Sequence, residues 1–383
     1  MIYLDNAATT RISDEVLSAM MPYLTDKYGN ASSSHTFGRG IAGTIDSART
    51  IVAECIKAQV DEIFFTSSGS ESDNWAIRSL AYAGLVNGKR KIVSSAFEHH
   101  AVIRTLELLQ KESFEIILLP VYENGVVVVS DLERVLNESA DDVAFVTIMH
   151  VNNEIGTIQP IEEIGLVCNE YGVPFHTDAV QSIGNVEIDV QKQRMGLMSL
   201  SGHKIHAPKG IGILYAKKEF ELTPLIIGGK QERGYRAGTE NVMAIIGVAK
   251  AIQIATTSIL PKNEKLRKLA KKIMENFDKI EKSKLNGDRE KRIGGIVNYS
   301  FEGIVGDMLV NTLDCQGIYV SNGSACASDS LDASHVLLSL GLSREMALAN
   351  LRISMSEYTT EDEIDKLINA VPVVVEGLRS MGN

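Results

Sequence analysis

Short apolar runs alternate with amphipathic helical patterns over the first two-thirds of the chain. Ile63-Phe64-Phe65, Lys91-Ile92-Val93, Ala144 to Ile148 and Gly212 to Tyr215 are brief hydrophobic stretches, the form taken by strands buried on both faces. Between them lie helix-length segments such as Ile161 to Glu170, which meets the breakers Gly172 and Pro174. This alternation predicts an α/β fold around a largely parallel central sheet.

The rhythm changes near residue 257. Pro261 to Lys284 is rich in lysine, with Leu266, Leu269, Ile273, Phe277 and Ile280 at helical spacing. The pattern predicts a solvated helix that packs one apolar face. Thr360 and Glu363 have the spacing of a capping box that opens a last helix through Ile364 and Leu367. The expected division is a large domain over 13–256 and a smaller α+β domain over 257–383, joined by residues 1–12.

Composition narrows the function classes. The 383 residues are 44% hydrophobic and carry a net charge of −11, which argues against direct nucleic-acid binding, since phosphate contacts want a concentrated basic face. No apolar run reaches the length of a membrane span, and the opening Met-Ile-Tyr-Leu-Asp-Asn lacks a secretory pattern. The four cysteines, Cys55, Cys168, Cys315 and Cys326, form no C-x-x-C pair. A reducing, cytoplasmic setting is expected, where a special cysteine is catalytic more often than structural.

Gly38-Arg39-Gly40-Ile41-Ala42-Gly43 matches the glycine spacing of a dinucleotide loop, but a polar loop precedes it instead of a strand. It predicts the start of a closely packed helix.

Four other segments place reactive residues just after a strand, where ligand crevices lie in open α/β sheets. Thr66 to Asn74 is a small-residue loop opening a helix, suited to an anion, although a plain cap would look the same. Glu98-His99-His100 offers a metal ligand or a ring-stacking acid/base. Asp178, in Phe175 to Gln181, could pair with a cationic ring nitrogen or cap a helix. Lys204, in Ser201-Gly202-His203-Lys204, is a candidate Schiff-base amine. A phosphate loop, an acid and a lysine in that order are the parts that a pyridoxal 5′-phosphate (PLP) site needs. A metal site has less support, because no H-E-x-x-H or Cys/His spacing is present.

Together these segments resemble the class V aminotransferase-like group of fold type I PLP enzymes, and more narrowly the cysteine desulfurases of the NifS/IscS type. The most specific stretches are Glu98 to Val102, His150 to Gly156, Ser201 to Lys204, Glu232 to Thr239 and Gly323-Ser324-Ala325-Cys326. The resemblance implies that Lys204 carries PLP and moves a substrate proton, and that Asp178 keeps the ring nitrogen protonated. It gives Gln181 to the ring hydroxyl and His99 to the ring face. Gly69, Ser70, Ser201 and His203 would hold the phosphate, with Thr239 supplied by the partner of a homodimer. Arg352, helped by Asn153, would clamp the carboxylate of L-cysteine. Cys326 would take the sulfur as a persulfide for acceptor proteins in iron–sulfur assembly or tRNA and cofactor thiolation. Its small, polar flanks, Ser321 to Ser330, are unlike a core, whereas Cys55, Cys168 and Cys315 are expected to be core residues. The long stretch from Ala327 to Ser343 resembles the branch with an extended cysteine loop. Ala31, Ser70, Lys230 and Asn322 depart from the family pattern without removing a catalytic group.

Overall fold

The computed structural model describes residues 1–323 and 333–381. Seven strands form the central sheet: β1 (Ile63–Thr66), β2 (Lys91–Ser95), β3 (Glu115–Leu119), β4 (Val143–Thr147), β5 (Phe175–Asp178), β6 (Leu197–Ser201) and β7 (Gly212–Ala216). Their order is β1-β7-β6-β5-β4-β2-β3, and only β7 runs antiparallel to its neighbours. The largely parallel sheet expected from the apolar runs is therefore present.

Alternation along the strands explains why these runs are apolar throughout. Phe64 and Ile92 join one hydrophobic cluster with the helices α1 (Gly69–Val86) and α2 (His100–Lys111). Ile63, Phe65 and Val93 join another with the helices at 36–56 and 242–257. Both sheet faces are covered, so both side-chain registers must be hydrophobic.

The segment 38–43 lies inside the helix Thr36–Ile56, where a Cβ on Gly38 would stand 2.6 Å from the Asn30 carbonyl oxygen. Close packing accounts for Gly38, but not for Gly40 and Gly43, where an added Cβ would meet nothing within 4 Å. The helix Ile161–Glu170 forms with the predicted limits.

A separate cluster gathers residues from the two chain ends. Leu266, Leu269, Ile273 and Phe277 of α3 (Ile259–Phe277) pack with Ile2, Leu4, Leu309, Leu351 and Val375. They cover an antiparallel sheet of β8 (Ser283–Leu285), β9 (Ile296–Phe301) and β10 (Asn350–Ser354). The lysine-rich helix stops at Phe277, short of the predicted Lys284, because the chain turns at 278–282 to enter β8. The capping box is formed: the Thr360 amide donates to Glu363 Oε2 at 2.8 Å, and the Glu363 amide donates to Thr360 Oγ1 at 3.3 Å.

The cysteine expectation needs one correction. Cys168 is buried and Cys55 half-buried, but Cys315 is exposed. It follows the helix Gly306–Asp314, whose Leu309 and Leu313 face the core while Cys315 lies beyond that apolar side. Cys326 lies outside the described residues. Among the described residues, no single helix is long and apolar enough to cross a membrane.

Candidate active site

Four strand ends deliver their predicted residues to one cavity of about 350 Å³. At the end of β1, Ser68 caps α1 by accepting the Glu71 amide at 3.1 Å. Gly69 follows in the first turn, where backbone N–H groups without intrahelical partners favour an anion. A Cβ on Gly69 would come within 2.8 Å of Val180 Cγ2. Its absence keeps this corner open, and Ser70 stands exposed beside it.

After β2, His99 caps α2, its Nδ1 accepting the Ala101 amide at 3.1 Å. Burial, then the charges of Lys204 and His100, push its imidazole down to about 4, so the ring is neutral at physiological pH. Glu98, fully buried, is pushed up to about 8 by its burial, although Ser95 and the Met149 amide, 3.0 Å from each oxygen, favour the charged form.

Asp178 ends β5 and is 4% exposed. Burial raises it to about 6, opposed by the Val180 amide, 2.9 Å from Oδ1, and by the Lys204 charge. Gln181, three residues on, donates to the Ala7 carbonyl at 3.1 Å. The buried Ser201 ends β6, and a 3-10 turn, Gly202–Lys204, aims the lysine at the N-terminal segment. There Lys204 Nζ donates to the carbonyls of Ala7 at 2.5 Å and Ala8 at 2.8 Å, and His203 Nδ1 lies 3.2 Å from Thr9 Oγ1.

β10 brings Arg352 from the smaller sheet. It is 2% exposed, donates through Nη2 to Asp5 at 2.8 Å and through Nη1 to the Asn153 carbonyl at 3.2 Å, while its Nε is buried without a partner. A guanidinium held this way retains donor capacity for a carboxylate.

The cavity thus unites Gly69, Ser70, His99, Asn153, Asp178, Gln181, Ser201, His203, Lys204 and Arg352. Thr239 does not join them: it is exposed on the loop after the 3-10 turn Glu232–Gly234. Gly323, the last described residue before the Cys326 segment, lines the cavity. Two further groups at the cavity carried no sequence signal strong enough to assign. One is the Ala7-Ala8 backbone, which receives Lys204. The other is Asp73, one turn into α1 and 1% exposed, whose Oδ1 has no hydrogen-bond partner.

These residues fit PLP. An open helix N-terminus suits the phosphate, a buried carboxylate suits a pyridinium, a neutral imidazole suits the ring face, and a primary amine reaches the same space.

Comparison with known proteins agrees with this chemistry. The class-V aminotransferase family model matches residues 2–367. The chain is 45% identical to the cysteine desulfurase IscS of Methanosarcina thermophila, over 99% of this chain and 93% of that protein. It is 45% identical to the cysteine desulfurase IscS of Clostridium botulinum, over 99% and 96%. A solved NifS-like protein superposes with a TM-score of 0.92 at 35% identity, covering 98% of this chain and all of that one. A structure described as SspA in complex with cysteine gives 0.82 at 34%, covering 94% and 100%. The chain belongs to the class-V aminotransferase family and, within it, to the PLP-dependent cysteine desulfurases.

Proposed function

We propose that this protein removes sulfur from L-cysteine, releasing L-alanine and storing the sulfur as a persulfide on Cys326. The observation that carries this reading is the convergence of Lys204, Asp178, His99 and Arg352 on one cavity whose rim includes Gly323, three residues before Cys326.

When bound, PLP supplies an electron sink for the substrate's Cα. The chain's own groups do the rest. Arg352, with Asn153, holds the substrate carboxylate by charge-assisted hydrogen bonds. Lys204 Nζ holds and moves the Cα proton, and the adjacent Ala7 and Ala8 carbonyls orient it. His99, neutral at working pH, would face the cofactor ring and could take or give a proton there without adding a competing cation. Asp178 would answer the ring nitrogen, Gln181 the ring hydroxyl, and Gly69, Ser70, Ser201 and His203 would hold the phosphate. The Cys326 thiolate then attacks the substrate sulfur, and the carbon that loses it takes up a proton.

Cys168 is unsuited to that role, because burial raises its thiol far above the usual range. Thr239, exposed in the single chain, is assigned to the phosphate site of a second copy in a homodimer. Proteins of iron–sulfur assembly or of tRNA and cofactor thiolation, in the cytoplasm, are the proposed sulfur acceptors.

Intact mass before and after brief exposure of the PLP-loaded protein to L-cysteine tests the reading. One added sulfur is expected on the wild type, removable by thiol and missing from Cys326→Ser. Sulfur on the variant, or none on the wild type with the cofactor still bound, would refute it.

A further inference from the structure

Asp73 is a buried carboxyl with no role in the account above. It lies on the face of α1 turned to the sheet, lines the cofactor cavity, and leaves Oδ1 without a hydrogen bond. A carboxylate oxygen of Asp73, one of Asp178 and a ring nitrogen of His99 all lie within 4.8 Å of one another. Two carboxylates this close in a dry pocket cannot both ionise cheaply, since their repulsion adds to the cost of desolvating each.

Apart from the Ser199 hydroxyl, the groups facing Asp73 do not relieve that cost. His176 of β5 places Nε2 at 3.8 Å, but burial pushes its imidazole down to about 3, so it offers no charge. Its Nδ1 and Nε2 are engaged by Thr147 Oγ1 at 2.9 Å and Ser199 Oγ at 3.0 Å. His99 is also neutral at physiological pH, and Glu98 adds a further buried carboxyl nearby. Lys204 acts on Asp178, favouring its charged form. Burial first, then the Asp178 charge, raise Asp73 well above the ordinary carboxyl range, with the Ser199 hydroxyl opposing.

We infer that Asp73 is a positioning residue that holds the proton of a buried carboxyl pair, leaving Asp178 as the one negative charge presented to the cofactor ring. The inference rests on Asp178 facing the ring nitrogen. In this arrangement the proton stays on Asp73 throughout, and the neutral acid serves as a donor beside Asp178. A second anion would leave the cofactor-free pocket with two like charges at close range.

The linkage has a definite sign. A carboxyl raised in the folded state contributes stability that is present at acid pH and is lost as pH rises toward its folded value. Asparagine reproduces the neutral acid's shape without its proton.

The experiment compares wild type, Asp73→Asn and Asp178→Asn, stripped of cofactor, by thermal melting and by PLP absorbance titration from pH 5 to 9. The wild-type melting temperature is expected to fall with rising pH. Asp73→Asn should melt higher at neutral pH, with a flatter profile, and bind PLP within about threefold of wild type. A tenfold or greater loss of PLP affinity in Asp73→Asn would mean that Asp73 acts as a charge and would overturn the inference. So would a pH profile as steep as wild type, or a stoichiometric divalent ion in the purified protein. If Asp73→Asn does not fold, Asp178→Asn decides: relief of the repulsion should flatten its cofactor-free profile, and unchanged steepness overturns the pair. Failure of the wild type itself to bind PLP would strike the functional reading instead.

Discussion

Glu232 and Asp73 are both buried carboxyls, 7% and 1% exposed, yet the fold treats them in opposite ways. Glu232 meets Arg49 through two hydrogen bonds, at 2.7 and 2.8 Å, and accepts the Phe65 amide at 2.9 Å. Arg49 also donates to the Ile63 carbonyl at 2.7 Å and lies 4.8 Å from the centre of the Phe65 ring. This brace ties the helix Thr36–Ile56 and β1 to a turn where Glu232 and Arg233 have φ of 43° and 59°. Such left-handed conformations cost non-glycine residues free energy, and the surrounding bonds hold them in place. Among the described residues, neither Asp73 nor Asp178 is held by a bidentate cation pair of this kind. A charge satisfied within the chain supports structure, whereas carboxyls left incompletely answered in a cavity share a proton or await a ligand.

Three substitutions test that division, beginning with the largest effect. Lys204→Ala should lower sulfur release from L-cysteine by about 10³-fold or more, a loss on the scale of removing a proton-transfer group. Its cofactor-free melting temperature should stay near wild type; a large drop would show that the lysine acts as a brace as well. Arg49→Ala should do the reverse, because it strands a buried carboxylate. A loss of about 3–5 kcal/mol is expected from denaturant unfolding. An unchanged midpoint would remove the structural half of the comparison.

Glu98→Gln should have the smallest effect. Glu98 is raised to about 8 in the folded protein, so the wild type loses this group's contribution as pH rises from the ordinary glutamate range through about 8. The glutamine variant should match wild type at acid pH and show a flatter melting profile above it. Identical profiles across pH 5–9 would place Glu98 in a better-solvated setting than its burial implies.

Local features of the chain were readable because their causes are local. The apolar runs at 63–65, 91–93 and 212–215 lie in strands because nearly every position must face a covered side of the sheet. Strands β3, β5 and β6 were less legible. Glu115 is exposed at the start of β3, while β5 and β6 carry His176, Thr177 and Ser199 within the sheet, which breaks the hydrophobic run. The small-residue loop before Gly69 and the setting of Lys204 likewise marked their sites, since a helix start and a strand end are short-range properties. The spacing predicts α3 beyond its observed end, because apolar positions continue to Ile280 although the chain has already turned.

By itself, the sequence determined the α/β alternation, the caps and the order of reactive residues along the chain, all consequences of neighbouring side chains and backbone preference. Tertiary structure decided which of those residues share an environment. Arg352 meets Asp5 from 347 positions away, Arg49 meets Glu232 from 183, and Asp73 comes to within reach of Asp178 only when α1 packs on the sheet. Charge state follows the same rule: whether a carboxyl keeps its proton depends on desolvation and on every charge within a few ångströms, and those neighbours come from distant parts of the chain.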